Sequence, residues 1–313
     1  MKVIITGASG VLGTAVFDAF AGAHTAVGDT DHHDHAVIGL AHSRSSGERN
    51  LHKLNLLDSA AVSTFFRDAK PNWVIHCAAE RKPDVAEKDP EGTRKLNVDV
   101  PAHLAVLAKE LGFTLIFIST DYVFDGTSPP YTPSAPTNPV NLYGITKRDG
   151  ELGVLGVQDA RIAVLRVPIL YGPAPSNADS AVNVLLDVVR DQSGRKYNMD
   201  HYQTRFPTNV LDIASFLVRL AQRPRDALLP PVIHYSAEEP FTKYEICLIF
   251  ARILGLPHAH IIPDAGPPPP GSTPRPQNTQ LSLRETEDLG VDGGLMTGGF
   301  EEWWVEYLRN QTG

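Results

Sequence analysis

The stretch TGASGVLG, residues 6–13, decides how this chain folds. A β-branched apolar run, KVIIT (2–6), precedes it, and apolar residues at helical spacing follow from Val11 to Phe20. This order predicts a buried strand, a glycine-rich turn and a helix. Glycines let a backbone approach a diphosphate closely, and the free N–H groups of a helix N-terminus attract the anion. We predict a dinucleotide site here, with the binding residues Gly7, Ser9, Gly10, Val11, Leu12 and Gly13.

Strand and helix patterns keep alternating after this turn. Further buried strands are predicted at residues 36–41, 73–77, 114–119 and 162–167. Helices are predicted at residues 60–69, 96–111 and 143–155. Strands that alternate with helices at this spacing are typical of βαβ units, whose strands pair in parallel. The sequence therefore predicts an α/β fold on a doubly wound parallel sheet of the Rossmann type.

The pattern is looser beyond Pro168. Helices are predicted at residues 182–189 and 242–254 and a strand at 233–236. Seven prolines between Pro263 and Pro276 predict an extended connector without regular structure. We predict a nucleotide-binding domain over residues 1–167, to which the chain returns near 208–236, and a smaller lobe of substrate-binding type over 168–207 and 237–313.

Composition and charge indicate which classes of partner and which cellular compartment to expect. The chain has 28 Lys and Arg against 36 Asp and Glu, a net charge of −8, which argues against nucleic acid and anionic membranes as partners. No apolar run approaches the ~20 residues of a spanning helix. The separate Cys77 and Cys247 are typical of free thiols in a reducing cytoplasm. The run HHDH (32–35) does not predict a metal site, because adjacent residues rarely converge on one ion.

The end of the second predicted strand indicates which dinucleotide binds. An NAD site places Asp or Glu there to bind the ribose hydroxyls, but this strand ends in LAHSRS (40–45). A guanidinium suits the 2′-phosphate of NADP, so Ser43 and Arg44 predict NADP; a solvated loop arginine is the alternative. Asp58 is equally suited to the adenine edge and to capping the next helix.

Three side chains form a candidate reactive group. STDYVFDG (119–126) ends a buried strand, so Thr120 is expected in the ligand crevice. Tyr143 and Lys147 are four residues apart and therefore share one helix face. A nearby ammonium is expected to lower the pKa of the phenol. We predict that Tyr143 transfers a proton, that Thr120 hydrogen-bonds the reacting oxygen, and that Lys147 also holds the nicotinamide ribose.

The glycine turn, STDYVFDG, NPVNLYGITK (138–147) and RPQNTQL (275–281) together resemble the extended short-chain dehydrogenase/reductases. The resemblance is to the branch that holds dTDP-4-dehydrorhamnose reductase and the regulatory β subunit of methionine adenosyltransferase. HCAAERKPDV (76–85), NMDHYQTRFPTNV (198–210) and TKYE (242–245) are similar to the β subunit. The resemblance implies an NADP cofactor also contacted by Ala78, Ala79 and Pro168. It further implies a hetero-oligomer with the methionine adenosyltransferase catalytic subunit that modulates S-adenosylmethionine synthesis.

Two departures concern the predicted substrate pocket, which comprises Arg81, Asp121, Gln203 and Arg205. The reductases of this branch typically read AAYT where this chain reads AAER (78–81), and they carry a small residue where Arg205-Phe206 precedes Pro-Thr. These residues change the volume and charge of the pocket, although Arg81 and Arg205 are still suited to an anion. Two hypotheses stay open: a regulatory subunit, and an NADPH-dependent reductase of a nucleotide-sugar or other carbonyl substrate.

The C-terminal segment carries an aromatic stripe at helical spacing: Phe300, Trp303, Trp304, Tyr307 and Leu308. A helix docked on its own lobe and a tail that docks on a partner both explain the stripe. We expect a mixture, in which Trp303 and Trp304 pack on the small lobe while residues 308–313 stay free for the partner.

Overall fold

The computed structural model describes residues 1–26, 36–42, 51–225, 227, 229–291 and 298–311. Its strands are β1 (Lys2–Thr6), β2 (Ala36–Ala41), β3 (His52–Lys53), β4 (Trp73–His76), β5 (Thr114–Thr120), β6 (Ile162–Val167), β7 (Leu170–Tyr171), β8 (Tyr197–Asp200), β9 (Thr208–Asn209), β10 (Val232–His234) and β11 (Ile261–Asp264). Its α-helices are α1 (Val11–Ala26), α2 (Ser59–Ala69), α3 (Pro83–Lys88), α4 (Pro90–Arg94), α5 (Val100–Leu111), α6 (Leu142–Leu155), α7 (Val184–Arg190), α8 (Val210–Ala221), α9 (Lys243–Leu254), α10 (Arg284–Glu287) and α11 (Phe300–Gln311).

A parallel sheet forms the centre of the described part of the chain. Seven strands are hydrogen-bonded in the order β10-β6-β5-β4-β1-β2-β3, and every neighbouring pair is parallel. The order reverses between β1 and β4, and in such sheets the ligand crevice opens at the carboxyl ends of those strands. The predicted doubly wound α/β fold is confirmed.

Both faces of the sheet are covered, as the continuous apolar runs of its central strands require. On one face, Ile5 packs with Phe20 of α1 and Leu217 of α8 in one buried cluster. On the other face, Ile4 packs with α2 and α5. The chain beyond β6 returns to this sheet, because β10 pairs with β6 and α8 packs against α1.

The smaller apolar core lies between α7, α9 and α11. Tyr171 packs against Phe300, Trp303 and Trp304, with ring centroids 4.9, 5.2 and 5.8 Å apart. The stripe therefore docks on its own lobe. The expectation that Leu308 stays free is wrong, because Leu308 is buried in the same core. Residues 312 and 313 lie outside the described part of the chain.

The proline-rich segment begins inside a strand, contrary to the prediction. Pro263 belongs to β11, which pairs in parallel with β8. The N–H groups of Tyr197 and His201 donate to the carbonyls of His260 and Asp264 on either side of it. Proline is tolerated here because β11 is an edge strand of a two-stranded sheet.

The helix predicted from residue 96 begins as a π-helical turn, Lys95–Asp99, before α5. The N–H of Val100 donates to the carbonyl of Lys95, and Pro101 has no N–H to offer Asn97. A Cβ on Gly150 would lie only 2.4 Å from the Asn97 carbonyl oxygen. The glycine therefore lets α6 approach the widened turn closely.

Candidate cofactor and substrate site

The glycine-rich turn lies at the carboxyl end of β1, at the crevice. Gly7 has a φ of +66°, and a Cβ there would lie 2.8 Å from the backbone nitrogen of Ala78. A Cβ on Gly13 would lie 2.1 Å from the Gly7 carbonyl oxygen. The helix that follows begins at Val11 and has no acidic residue in its first turn, where the backbone N–H groups have no intrahelical acceptor. This cradle fits the diphosphate of a dinucleotide.

The ends of β1 and β4 are tied together beneath this cradle. Thr6 Oγ1 lies 2.7 Å from His76 Nδ1 and accepts a longer hydrogen bond, 3.4 Å, from the N–H of Ala78. Burial lowers the pKa of His76 to about 3, so the imidazole is neutral at physiological pH. Sequence reasoning missed this support, although a polar residue that ends the apolar run WVIH was a signal for it.

Thr120, Tyr143 and Lys147 meet where β5 ends beside α6. The Thr120 hydroxyl donates to Asp121 Oδ1 at 3.1 Å and lies close enough to the Tyr143 phenol to affect its pKa. Lys147 is buried; its Nζ donates to the Ile118 carbonyl at 2.7 Å and lies 4.0 Å from the centroid of the Phe117 ring. The three side chains therefore share one end of the crevice.

The pKa of Tyr143 is not lowered, contrary to the expectation. Burial raises it, and this outweighs the lowering effects of the Thr120 hydrogen bond and of Arg81. Burial also lowers the pKa of Lys147 to about 7, with Glu151 opposing the shift. The ammonium faces the backbone of β5 and does not act on the phenol. The neutral phenol carries a proton that it can donate, but its raised pKa makes it a weaker general acid than the sequence predicted.

Asn97 is a further polar residue of the site that sequence reasoning missed. It is buried in the π-helical turn; its Oδ1 accepts from the N–H of Glu80 at 2.9 Å. Its Nδ2 donates to the Glu80 carbonyl at 2.9 Å and to Thr146 Oγ1 at 3.1 Å. Asn97 therefore fixes the loop after β4, which carries Ala78 and Ala79, against the helix that carries Lys147. A lone amide inside the run LNVDV was the available signal.

The predicted substrate pocket is largely bonded to itself. The guanidinium of Arg205, 2% exposed, donates to the carbonyls of Thr204 and Pro276 at 3.0 and 2.9 Å and to Gln203 Oε1 at 2.6 Å. Three of the five guanidinium N–H groups of Arg205 are therefore bonded to protein acceptors, and its predicted role toward an anion stays a prediction. Arg81, by contrast, is exposed near Tyr143.

A distant segment closes this side of the site. Thr279 donates a hydrogen bond to Asp121 Oδ2, and Asn141 Nδ2 donates to the Pro274 carbonyl at 2.9 Å. Arg275, on the same segment, pairs with Asp84 at 2.7 Å. Burial raises the pKa of Asp121 despite the opposing effects of Thr279 and Arg205. Residues 274–279 thus act as a strap, which sequence reasoning identified only as part of a motif.

The remaining predicted residues are Asp58, Pro168, Ser43 and Arg44. Asp58 caps α2, and its Oδ1 accepts from the Ala61 N–H at 3.0 Å, so the capping alternative is observed. Pro168 is buried directly after β6. Ser43, Arg44 and the HHDH run lie outside the described residues. Within the described ranges, no three His, Cys, Asp or Glu side chains are grouped to hold a metal, and no helix is long and apolar enough to cross a membrane.

Comparison with known proteins shows which family the chain belongs to. Residues 1–294 match the family described as RmlD substrate binding domain. The chain belongs to this family. It is 43% identical over 291 residues to methionine adenosyltransferase 2 subunit beta of Xenopus tropicalis, covering 93% of this chain and 83% of that protein. It is 30% identical over 271 residues to dTDP-4-dehydrorhamnose reductase of Streptomyces griseus, covering 83% of this chain and 78% of that enzyme.

Solved structures give the same fold. A dTDP-4-dehydrorhamnose reductase of Clostridium acetobutylicum superposes with a TM-score of 0.76 at 25% identity, over 100% of both chains. The reductase of Bacillus anthracis, solved in complex with NADP, has a TM-score of 0.77 at 22% identity over 99% of this chain and 98% of that one. The family resemblance stated from the motifs is confirmed.

Proposed function

We propose that this protein is the NADP-binding regulatory β subunit of a methionine adenosyltransferase, which binds the catalytic subunit in the cytoplasm and modulates S-adenosylmethionine synthesis. One observation carries the proposal. Identity to relatives named methionine adenosyltransferase 2 subunit beta is 40–43% over 93% of the chain, against 30% to the Streptomyces reductase.

The two sides of the site support this proposal differently. The glycine cradle and the Lys147 side chain keep the arrangement that a dinucleotide needs, whereas Arg205 and Asp121 are bonded within the protein. A subunit that retains a cofactor and turns over little substrate fits this division. The choice of NADP over NAD rests on Arg44 and on the absence of an acid after the second strand.

The proposal is tested by reconstitution with the methionine adenosyltransferase catalytic subunit from the same cells. We expect the two chains to co-elute, and S-adenosylmethionine synthesis by the mixture to differ from synthesis by the catalytic subunit alone. A Tyr143→Phe variant should modulate the partner as the unmutated protein does. Failure to associate at micromolar concentrations, with or without NADPH, would overturn the proposal.

A second candidate function is NADPH-dependent carbonyl reduction, favoured by the contact between Thr120 and Tyr143 beside Lys147. A bound nicotinamide would supply the hydride. The neutral Tyr143 phenol would donate the proton to the carbonyl oxygen, Thr120 would hydrogen-bond that oxygen, and Lys147 would hold the ribose. NADPH oxidation with a dTDP-4-dehydro sugar tests it: Tyr143→Phe should reduce the rate by roughly 10²–10⁴-fold.

A further inference from the structure

A buried ion pair lies directly behind Lys147. Glu151 Oε2 accepts from a terminal guanidinium nitrogen of Arg166 at 2.7 Å, and Glu151 Oε1 accepts from Arg166 Nε at 3.0 Å. Both side chains are about 5% exposed or less. Well-packed apolar residues of similar volume often stabilise a core as well as such a pair does. Stability alone therefore does not account for the two charges at this position.

The pair links the elements that carry the reactive side chains. Glu151 Oε1 also accepts a hydrogen bond from Ser119 Oγ at 2.5 Å. Ser119 stands between Ile118, whose carbonyl accepts from Lys147 Nζ, and Thr120. Glu151 and Lys147 are four residues apart on α6, so they lie on the same helix face. The carboxylate thus holds the helix of Lys147 against the strand end of Thr120.

Glu151 is also the charged group that acts on Lys147. The other titratable groups facing the ammonium are His76 and Cys77, at the end of β4. Burial keeps both neutral, since it lowers the pKa of His76 to about 3 and raises that of Cys77 to about 12. Tyr143, one turn away on α6, is neutral as well, because burial raises its pKa. The carboxylate of Glu151 raises the pKa of Lys147, and the guanidinium of Arg166, bonded to that carboxylate, is the nearby positive charge that offsets part of this effect.

We propose that Glu151 is a positioning residue that holds the Lys147 ammonium against the end of β5, directed toward the ribose of the cofactor. Removal of a carboxylate close to an ammonium lowers the pKa of that ammonium, typically by 1 unit or more. A deprotonated Lys147 loses the charge of its hydrogen bond to the ribose. Cofactor binding should therefore weaken at a lower pH without Glu151. The inference rests on the proposed function in one respect, the binding of NADP by this chain.

The test is the dissociation constant of NADPH for the full-length protein, measured by fluorescence from pH 5 to pH 9. In the unmutated protein we expect a constant affinity at low pH that falls as Lys147 deprotonates. Glu151→Gln should move the midpoint of this fall down by about 1 pH unit. Affinity at pH 5 should stay unchanged, and affinity at pH 8 should drop about tenfold. Lys147→Met should bind weakly with no such midpoint.

A double variant distinguishes an effect of the Glu151 charge from a loss of stability. Glu151→Gln leaves Arg166 buried without its partner, whereas Glu151→Gln with Arg166→Met removes both charges. If Glu151 acts through its charge, the double variant should show a smaller shift in the same direction, because it also removes the positive charge of Arg166, while its stability recovers. Profiles of both variants that coincide with the unmutated profile would overturn the inference while leaving the proposed function intact. Absence of NADPH binding by the unmutated protein at every pH would overturn the cofactor proposal and this inference together.

Discussion

The cofactor side and the substrate side of the crevice use polar groups in opposite ways. On the cofactor side, the first turn of α1 presents backbone N–H groups that have no acceptor within the helix. On the substrate side, Arg205 donates to the Pro276 carbonyl, and Asp121 accepts from the Thr279 hydroxyl, both within the strap. The first side is arranged to receive an anion, and the second is already satisfied by the protein. Within one fold, one side thus presents backbone donors to a ligand, and the other side bonds these two charged side chains to the protein.

The two sides also differ in how far apart in sequence their parts lie. Most of the cradle is local, since a Cβ on Gly13 would meet Gly7 and Ala8, although Gly7 also contacts Ala78 of the loop after β4. The closed side joins residues about 70 to 160 positions apart, as the Arg205–Pro276 and Asp121–Thr279 contacts illustrate. The local side is therefore set by backbone geometry and the distant side by tertiary packing. Substitutions on each side should therefore affect NADPH binding and stability differently.

The largest effect is expected from Gly13→Ala. Its Cβ would stand 2.1 Å from the Gly7 carbonyl oxygen, a backbone atom that cannot move without opening the turn. We expect the free energy of unfolding to fall by about 3 kcal/mol and NADPH binding to be lost. Gly22→Ala on the same helix is the matched control, because a Cβ there meets nothing within 4 Å. Normal NADPH affinity in Gly13→Ala would contradict the close packing of the cradle.

Arg205→Met tests the closed side. The substitution leaves the Pro276 carbonyl without its donor and Asp121 without a neighbouring cation. We expect a loss of about 3 kcal/mol in unfolding free energy, because buried acceptors lose a charged donor, with an unchanged dissociation constant for NADPH. The exposed Arg81→Met should change stability by less than about 0.5 kcal/mol. An Arg205→Met variant of normal stability would show that the guanidinium serves a ligand.

Two buried histidines allow the sides to be compared by pH. Burial lowers the pKa of His76, on the cofactor side, and of His234, behind the substrate side, to about 3 each. The unfolded chain binds protons near pH 6.5, so each histidine contributes stability above that pH that is lost as the pH falls toward 3. Each should remove about 1.4 kcal/mol per pH unit below 6.5.

Urea unfolding at pH 7 and pH 5.5 measures this loss. His76→Gln and His234→Gln should each reduce the stability lost between these two pH values by about 1.2 kcal/mol, whatever their effect on stability at pH 7. A slope that His234→Gln leaves unchanged would mean that the closed side admits a charged imidazole. That result would contradict the buried contact between His234 and Arg166, because a protonated imidazole would place a second positive charge beside the guanidinium.

Local sequence pattern was sufficient for the sheet and for the glycine-rich turn. The strand–turn–helix order around Gly7 and the helical spacing of Tyr143 and Lys147 depend on neighbours in the chain, and β1 and α6 form where these patterns predict them. The π-helical turn at Asn97 was missed because its causes are Pro101 and a glycine on another helix.

Properties that depend on burial or on distant partners were not predictable. The sequence places Arg205 next to a Pro-Thr pair but gives no sign of the Pro276 carbonyl that accepts from it. The pKa of Tyr143 was predicted in the wrong direction, because spacing shows a nearby lysine and not the desolvation of the phenol. Leu308 was expected to be free because an amphipathic stripe does not reveal which surface it covers.

The smallest effect is expected at Asp58. This residue either only caps α2 or also contacts the cofactor. Its Oδ1 caps α2 through the Ala61 N–H, so Asp58→Ala should cost about 1 kcal/mol of unfolding free energy. Asp58→Asn keeps an oxygen acceptor for the cap and removes the charge, so its stability should stay within about 0.5 kcal/mol of the unmutated protein. If capping is the whole role, both variants bind NADPH with unchanged affinity. Equal losses of affinity in both, despite their different stabilities, would place the carboxylate in contact with the nucleotide and extend the open side of the crevice to α2.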